Sequence, residues 1–192
     1  MAFKSKAKKR QFGLARYLIK YCLQARFAIP LEHDYQLVDY QNWLLANDKK
    51  CFYVSISHSQ HIVAVVVSDK ECHLGVDVEQ HKQRDFAALA TMFMTAKERG
   101  ILQSSAEQSA VFYRLWTAKE AYFKAVRIPT IELSQVDLSQ CLIDGNVKVK
   151  GYQYHYQTLG QNDYSLTVLS QTRFNGKVQG IGEGIESKCR PL

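Results

Sequence analysis

No stretch of this 192-residue chain approaches the run of roughly 20 apolar residues that a membrane-spanning helix needs, which argues against a membrane span. The five cysteines, Cys22, Cys51, Cys72, Cys141 and Cys189, are odd in number, widely spaced and without a CxxC pair. That usage argues against a disulfide framework or a zinc module, and for a reducing, cytoplasmic setting. No G-x-S-x-G occurs, so a serine hydrolase with a nucleophile elbow is excluded. Acidic residues are missing from residues 1–31, which carry Lys4, Lys6, Lys8, Lys9, Arg10, Arg16, Lys20 and Arg26. The rest of the chain is nearly neutral, so the net charge of +7 comes from one end. Such an end binds something acidic, forms the solvated face of an ordinary helix, or serves as a targeting peptide. Arg16 and Lys20 break the apolar core that a secretory signal needs; a mitochondrial presequence shares the basic, acid-poor character and stays open.

What is present reads as globular, with 46% hydrophobic and 22% charged residues. The spacing of Leu14, Leu18, Cys22 and Ala25 predicts a helix over residues 12–28, ended by Pro30. Residues 31–50 give no clear period. Strands are predicted over 51–56, 62–67 and 74–78, where β-branched and aromatic residues cluster. Thr95 with Glu98, and Ser105 with Gln108, fit the capping box, and the second opens a long helix over about 106–126. Strands follow over 136–143, 147–156 and 164–170, with a turn at Asp144-Gly145-Asn146. Residues 175–192, rich in glycine, read as a loose tail. Strands and helices fall in blocks, so the class is α+β with mainly antiparallel sheet.

Three constellations could carry chemistry. In Gly75-Val76-Asp77-Val78-Glu79, strand alternation projects Asp77 and Glu79 together while Val76 and Val78 face a core. Two convergent carboxylates suit a hard cation such as Mg²⁺, which takes one or two of them and completes its octahedron with water and phosphate oxygens. In Trp116-Thr117-Ala118-Lys119-Glu120-Ala121-Tyr122-Phe123-Lys124, Glu120 and Lys124 share one helical stripe among large apolar residues. In Ser55-Ile56-Ser57-His58-Ser59, a histidine flanked by serines follows a strand and could meet a phosphate or act as a base. His58 and His61 have no His or Cys at zinc-ligand spacing. Taken singly, each also has a plain structural explanation: a charged strand face, a surface ion pair, a turn histidine.

Together and in this order, the three segments resemble the Sfp-type 4′-phosphopantetheinyl transferases, marked by an ISHS-like segment, a G-[IV]-D-[IV]-E strand and a W-[ST]-x-K-E-A-x-x-K helix. The resemblance covers about residues 50–170. It implies two similar α+β halves around a cleft, here residues 1–76 and 77–174. It also implies transfer of phosphopantetheine from coenzyme A to a serine of an apo carrier protein, with release of 3′,5′-ADP. By position, Asp77, Glu79 and Glu120 would hold Mg²⁺ against the CoA pyrophosphate, and Glu120 would help deprotonate the incoming serine. Lys124 would neutralise or protonate the departing phosphate. Lys119 would line the CoA cleft, Ser57 and His58 would contact CoA with His58 at a phosphate, and Arg10 and Arg16 would hold its 3′-phosphate. The partner would be an acidic acyl or peptidyl carrier of fatty-acid, polyketide or nonribosomal-peptide synthesis, and the protein a monomer. Residues 31–50 lack the G-K-P turn of many relatives, and Met92 stands where a basic residue often precedes the aromatic pair. A catalytically inactive module that binds CoA or a carrier protein is the first alternative. A nucleic-acid-binding protein using the basic arm with Phe12, Tyr17 and Tyr21 is the second, and it leaves the three motifs unexplained.

Overall fold

The computed structural model describes residues 6–32, 35–39, 43–46, 50–70, 72–128, 130–143, 145–150, 152–161 and 163–173. The expected tail over 175–192 lies outside them. Helix α1 (Lys6–Phe27) begins ahead of the expected Phe12 and buries Ala15, Ile19 and Leu23, a stripe one residue round from the one the spacing suggested. Ile19 and Leu23 pack on Phe52 and Val54, with Val65 and Val67 alongside. The strands beneath are β1 (Tyr35–Asp39), β2 (Trp43–Ala46), β3 (Lys50–Ser59) and β4 (Ile62–Ser68), paired antiparallel in chain order. β1 and β2 fall in the segment that showed no period. β3 outruns its expected end at Ile56, so Ser57, His58 and Ser59 are strand residues rather than a link.

The second sheet has the order β5-β8-β7-β6, formed by β5 (Leu74–Gln80), β6 (Gly145–Val149), β7 (Tyr152–Gln161) and β8 (Tyr164–Ser170). β5 belongs wholly to it, so the division between sheets falls before Leu74 and not between residues 76 and 77. Between β5 and β6 lie α2 (Phe86–Phe93), α3 (Ala96–Ser104) and α4 (Gln108–Val126). The fold is α+β with two antiparallel sheets, as expected. Helix α4 lies across β5 with a row of small residues, Ala118, Ala121 and Ala125, all fully buried. The approach is so close that a Cβ on Gly75 would stand 1.9 Å from the Ala121 carbonyl oxygen. Glycine at this position is therefore a packing requirement.

Three expectations are corrected here. Residues 136–143 are not a strand; they lie within a segment containing two 3₁₀ turns, Leu133–Gln135 and Ser139–Leu142. Local turn bonds meet several of their backbone N–H groups, and a buried ion pair meets the Val136 carbonyl and the Leu138 N–H. Lys119 Nζ donates to the carbonyls of Leu133 (2.7 Å) and Val136 (2.6 Å), and Glu98 accepts from the Leu138 N–H (2.8 Å). The expected strand over 147–156 is a hairpin, β6 and β7, reversing at Lys150 in the left-handed region (φ 48°), while Gly145 opens β6 instead of sitting in a turn. The Thr95–Glu98 capping box is present, but Ser105 caps the end of α3 and α4 starts without a side-chain cap.

Candidate functional site

β5 is an edge strand. One side pairs with β8, placing Asp77 opposite Thr167 and Glu79 opposite Ser165. On its other side the N–H groups of Val76, Val78 and Gln80 face β3, where no strand ladder meets them. A buried edge in that state leaves orphan donors, which cost free energy. Alternate serines of β3 fill the gap. The hydroxyls of Ser55, Ser57 and Ser59 accept from the N–H groups of Val76 (3.0 Å), Val78 (3.3 Å) and Gln80 (3.1 Å). Strand alternation explains the division of labour within β3, since Phe52 and Val54 face α1 and the serines face β5.

Two of these hydroxyls also reach carboxylates. Ser57 Oγ donates to Asp77 Oδ1 at 2.7 Å, and Ser59 Oγ donates to Glu79 Oε2 at 3.0 Å. From α4, Lys124 Nζ reaches the same Asp77 Oδ1 (2.7 Å) and the Val76 carbonyl (3.2 Å). Trp116 lies one turn before Glu120 on α4, on the side of Glu79, whose ionised form it favours. Among the described residues, Asp77 Oδ2 is buried with no hydrogen-bond partner. Burial pushes the Asp77 carboxyl above the usual carboxylate range, and outweighs the opposing pull of Lys124 and Ser57. Burial followed by the Asp77 charge raises Glu79, against the Ser59 hydrogen bond, Trp116 and the charge of Arg84. Glu120 is raised by burial and by both neighbouring carboxylates, with Lys124 opposing. Asp77, Glu79, Glu120 and Lys124 thus form one electrostatic unit.

The donor set is all oxygen, and one buried carboxylate oxygen is unpartnered, which fits a hard divalent cation completed by water and phosphate oxygens. Among the described residues, no three His, Cys, Asp or Glu side chains are gathered closely enough to hold a metal by themselves. Lys124 stands against Asp77 within the same cluster.

Ser57 is buried at the cluster itself, donating to Asp77 and accepting from the Val78 N–H. The other expected residues lie elsewhere. Lys119 is fully buried in its ion pair with Glu98 (2.8 Å) and lines no cleft; burial lowers its pKa against the pull of Glu98. A lysine facing inward from α4 has no water to reach, and the Leu133 and Val136 carbonyls take its protons. His58 is exposed, on the face of β3 opposite Ser57. Arg10 is exposed near the start of α1, and the Arg16 guanidinium lies over the Phe12 ring at 3.2 Å. Gln11 donates to the Gln60 carbonyl (2.8 Å), which brings this part of α1 to the end of β3 that carries Ser59. The roles of Ser55, Ser59, Trp116 and Glu98 were missed. For the two serines the signal was the matched two-residue period of Ser-x-Ser-x-Ser and Val-Asp-Val-Glu; Trp116 and Glu98 carried no such local signal.

The region 73–172, just over half of the chain, matches the family model described as the 4′-phosphopantetheinyl transferase superfamily. This chain belongs to that superfamily. The matched part holds β5 to β8 and α4, and with them Asp77, Glu79, Trp116, Glu120 and Lys124. The 4′-phosphopantetheinyl transferase psf-1 of Bacillus pumilus is 28% identical over 116 residues, covering 60% of this chain and 49% of that protein. The 4′-phosphopantetheinyl transferase AcpT of Salmonella typhimurium is 31% identical over 101 residues, 47% of this chain and 52% of its own length. The holo-[acyl-carrier-protein] synthase (AcpS) structure of Thermotoga maritima superposes with a TM-score of 0.40 and 12% identity, over 52% of this chain and 63% of that one. This superfamily member spans about half or less of the length of the curated relatives it matches.

Proposed function

We propose that this chain is a 4′-phosphopantetheinyl transferase, which moves phosphopantetheine from coenzyme A to a serine of an apo carrier protein and releases 3′,5′-ADP. The observation that carries the reading is the cluster of Asp77, Glu79, Glu120 and Lys124 inside the family-matched region, with Asp77 Oδ2 buried and unpartnered. Asp77, Glu79 and Glu120 would hold Mg²⁺. Bound there, the ion supplies charge neutralisation and alignment of the CoA pyrophosphate.

In the transfer, the carrier serine oxygen forms a bond to the phosphorus that bears pantetheine, and the bond from that phosphorus to the 3′,5′-ADP oxygen breaks. Such transfers rest mainly on positioning and charge stabilisation. Glu120 has its pKa raised by burial and by Asp77 and Glu79, which makes it a better acceptor for the serine proton. Lys124, already on the Asp77 side of the cluster, neutralises the leaving phosphate. His58, Arg10 and the stacked Arg16 stand on the α1 side of the first sheet, where they are candidates for the nucleotide end of CoA. An acidic acyl or peptidyl carrier complements the basic first helix. We take the protein as a cytoplasmic monomer with neither nucleic acid nor membrane as partner; the buried free thiol of Cys72 suits a reducing compartment. No described helix is long and apolar enough to cross a membrane.

Intact-mass spectrometry of apo fatty-acid, polyketide and peptide carriers incubated with the protein, CoA and Mg²⁺ tests the reading. The expected result is a gain of one phosphopantetheine, lost on adding EDTA and reduced at least ~100-fold in rate by Asp77→Ala. Stoichiometric CoA binding with no gain on any carrier would make the chain a binding module.

A further inference from the structure

We propose that Ser57 and Ser59 are positioning residues for the cation site, each using its single proton to orient one carboxylate. The proposal rests on the carboxylate reading above and adds a role for the serine segment, which the family match does not cover.

A hydroxyl has one proton to give and two lone pairs to offer. All three serines of the β3 row spend a lone pair on a β5 N–H, at offsets that repeat every two residues. Their protons differ in destination. The residue before Val78 is Asp77, and Ser57 donates to its Oδ1; the residue before Gln80 is Glu79, and Ser59 donates to its Oε2. The residue before Val76 is Gly75, so Ser55 has no carboxylate to hold. Ser55 is therefore an internal control, sharing the backbone bond without the carboxylate bond.

The consequence at Asp77 is directional. Ser57 and Lys124 both load Oδ1, at 2.7 Å each, and Oδ2 is left buried and unpartnered. The side chain is thereby held in one orientation with a free oxygen available to a cation. Glu79 is held similarly by Ser59 at Oε2. Outer groups that orient ligands in this way commonly set metal affinity.

The test compares Ser55→Ala, Ser57→Ala and Ser59→Ala by Mn²⁺ binding, followed by electron paramagnetic resonance with CoA present, and by thermal melting. All three variants are expected to lose thermal stability, because each orphans one N–H of β5. Ser57→Ala and Ser59→Ala should weaken Mn²⁺ binding at least ~10-fold while Ser55→Ala changes it less than ~2-fold. Ser59→Thr, which keeps a hydroxyl at a half-buried position, should restore the affinity. Should Ser57→Ala not fold, Ser57→Cys keeps the side-chain size with a weak donor and is expected to show the same direction of loss. Equal Mn²⁺ affinity across the three alanine variants would overturn the proposal and leave the transferase reading standing. No Mn²⁺ binding by the unsubstituted protein would overturn the carboxylate reading itself, and the proposal with it.

Discussion

A carboxylate oxygen left without a partner inside a protein is an expense that folding alone does not justify. Asp77, Glu79 and Glu120 all have pKa values raised chiefly by burial. A folded-state pKa above the unfolded one means that the native protein holds protons where the unfolded chain has lost them. Stability is then highest at low pH and falls as pH rises from the ordinary carboxylate value near ~4 through the raised values. A cation at the site reverses this trend, because it favours the ionised forms. Metal-free protein should thus lose more thermal stability between about pH 4 and 8 than Glu120→Gln does, and Mg²⁺ should stabilise the native protein increasingly as pH rises. Melts across that range in EDTA and in Mg²⁺ check it; identical pH profiles for protein and variant would refute it. Glu98 and Lys119 show what the sequence leaves illegible at this scale. Asp77, Glu79, Glu120 and Lys124 could be picked out by type and spacing, whereas Lys119 stood in the same motif and turned inward. Its partners at Leu133 and Val136, and those of Ser57 on β5, come from distant parts of the chain that no local pattern links.

Elements carry these side chains to each other, and the crossing of α4 over β5 sets the spacing. Lys124 reaches Asp77 because Ala121 rides directly on Gly75. Gly75→Ala forces the strand and helix apart and should cost about 3 kcal/mol, with loss of transfer beyond what the lower stability explains. Gly13→Ala, in α1 with open space around its added methyl, should instead be neutral or stabilising by about 0.4–1 kcal/mol. Denaturant unfolding of both separates the cases, and equal stabilities would mean that the close approach does not constrain the fold. Most elements could be read from periodicity, including α4, β4 and β8. The failures have physical causes. Residues 136–143 have strand-like composition, but local turn bonds together with the Glu98–Lys119 pair, which takes the Val136 carbonyl and the Leu138 N–H, occupy several of their backbone groups without a ladder. The β6–β7 reversal depends on Lys150 adopting a left-handed backbone, which lysine seldom signals. Ser105 offered its hydroxyl to the Glu107 N–H at the end of α3, not to the first turn of α4.

For the molecule as a whole, the α+β class followed from strands and helices falling in blocks, but the order β5-β8-β7-β6 did not, since nothing local says that β8 inserts beside β5. Charge is the other property of the whole. Lys6, Lys8 and Lys9 are exposed on the first turns of α1, on the opposite side of the first sheet from the serine row. Replacing the three by Gln should raise the KM for an acidic carrier about 5-fold at low salt with little change in kcat, and the difference should fade in about 0.5 M salt. A KM unchanged at every salt concentration would make the arm an ordinary solvated face. The serine row has a last consequence, for what happens when the two sheets part. While they are together, hydroxyls cap the outer border of β5. If the first sheet melts while the second persists, Val76, Val78 and Gln80 present bare N–H groups in register along an open strand. Such a border is adhesive and recruits strands from other chains into aggregates. The same three serines that serve the site thus tie the solubility of one half to the integrity of the other.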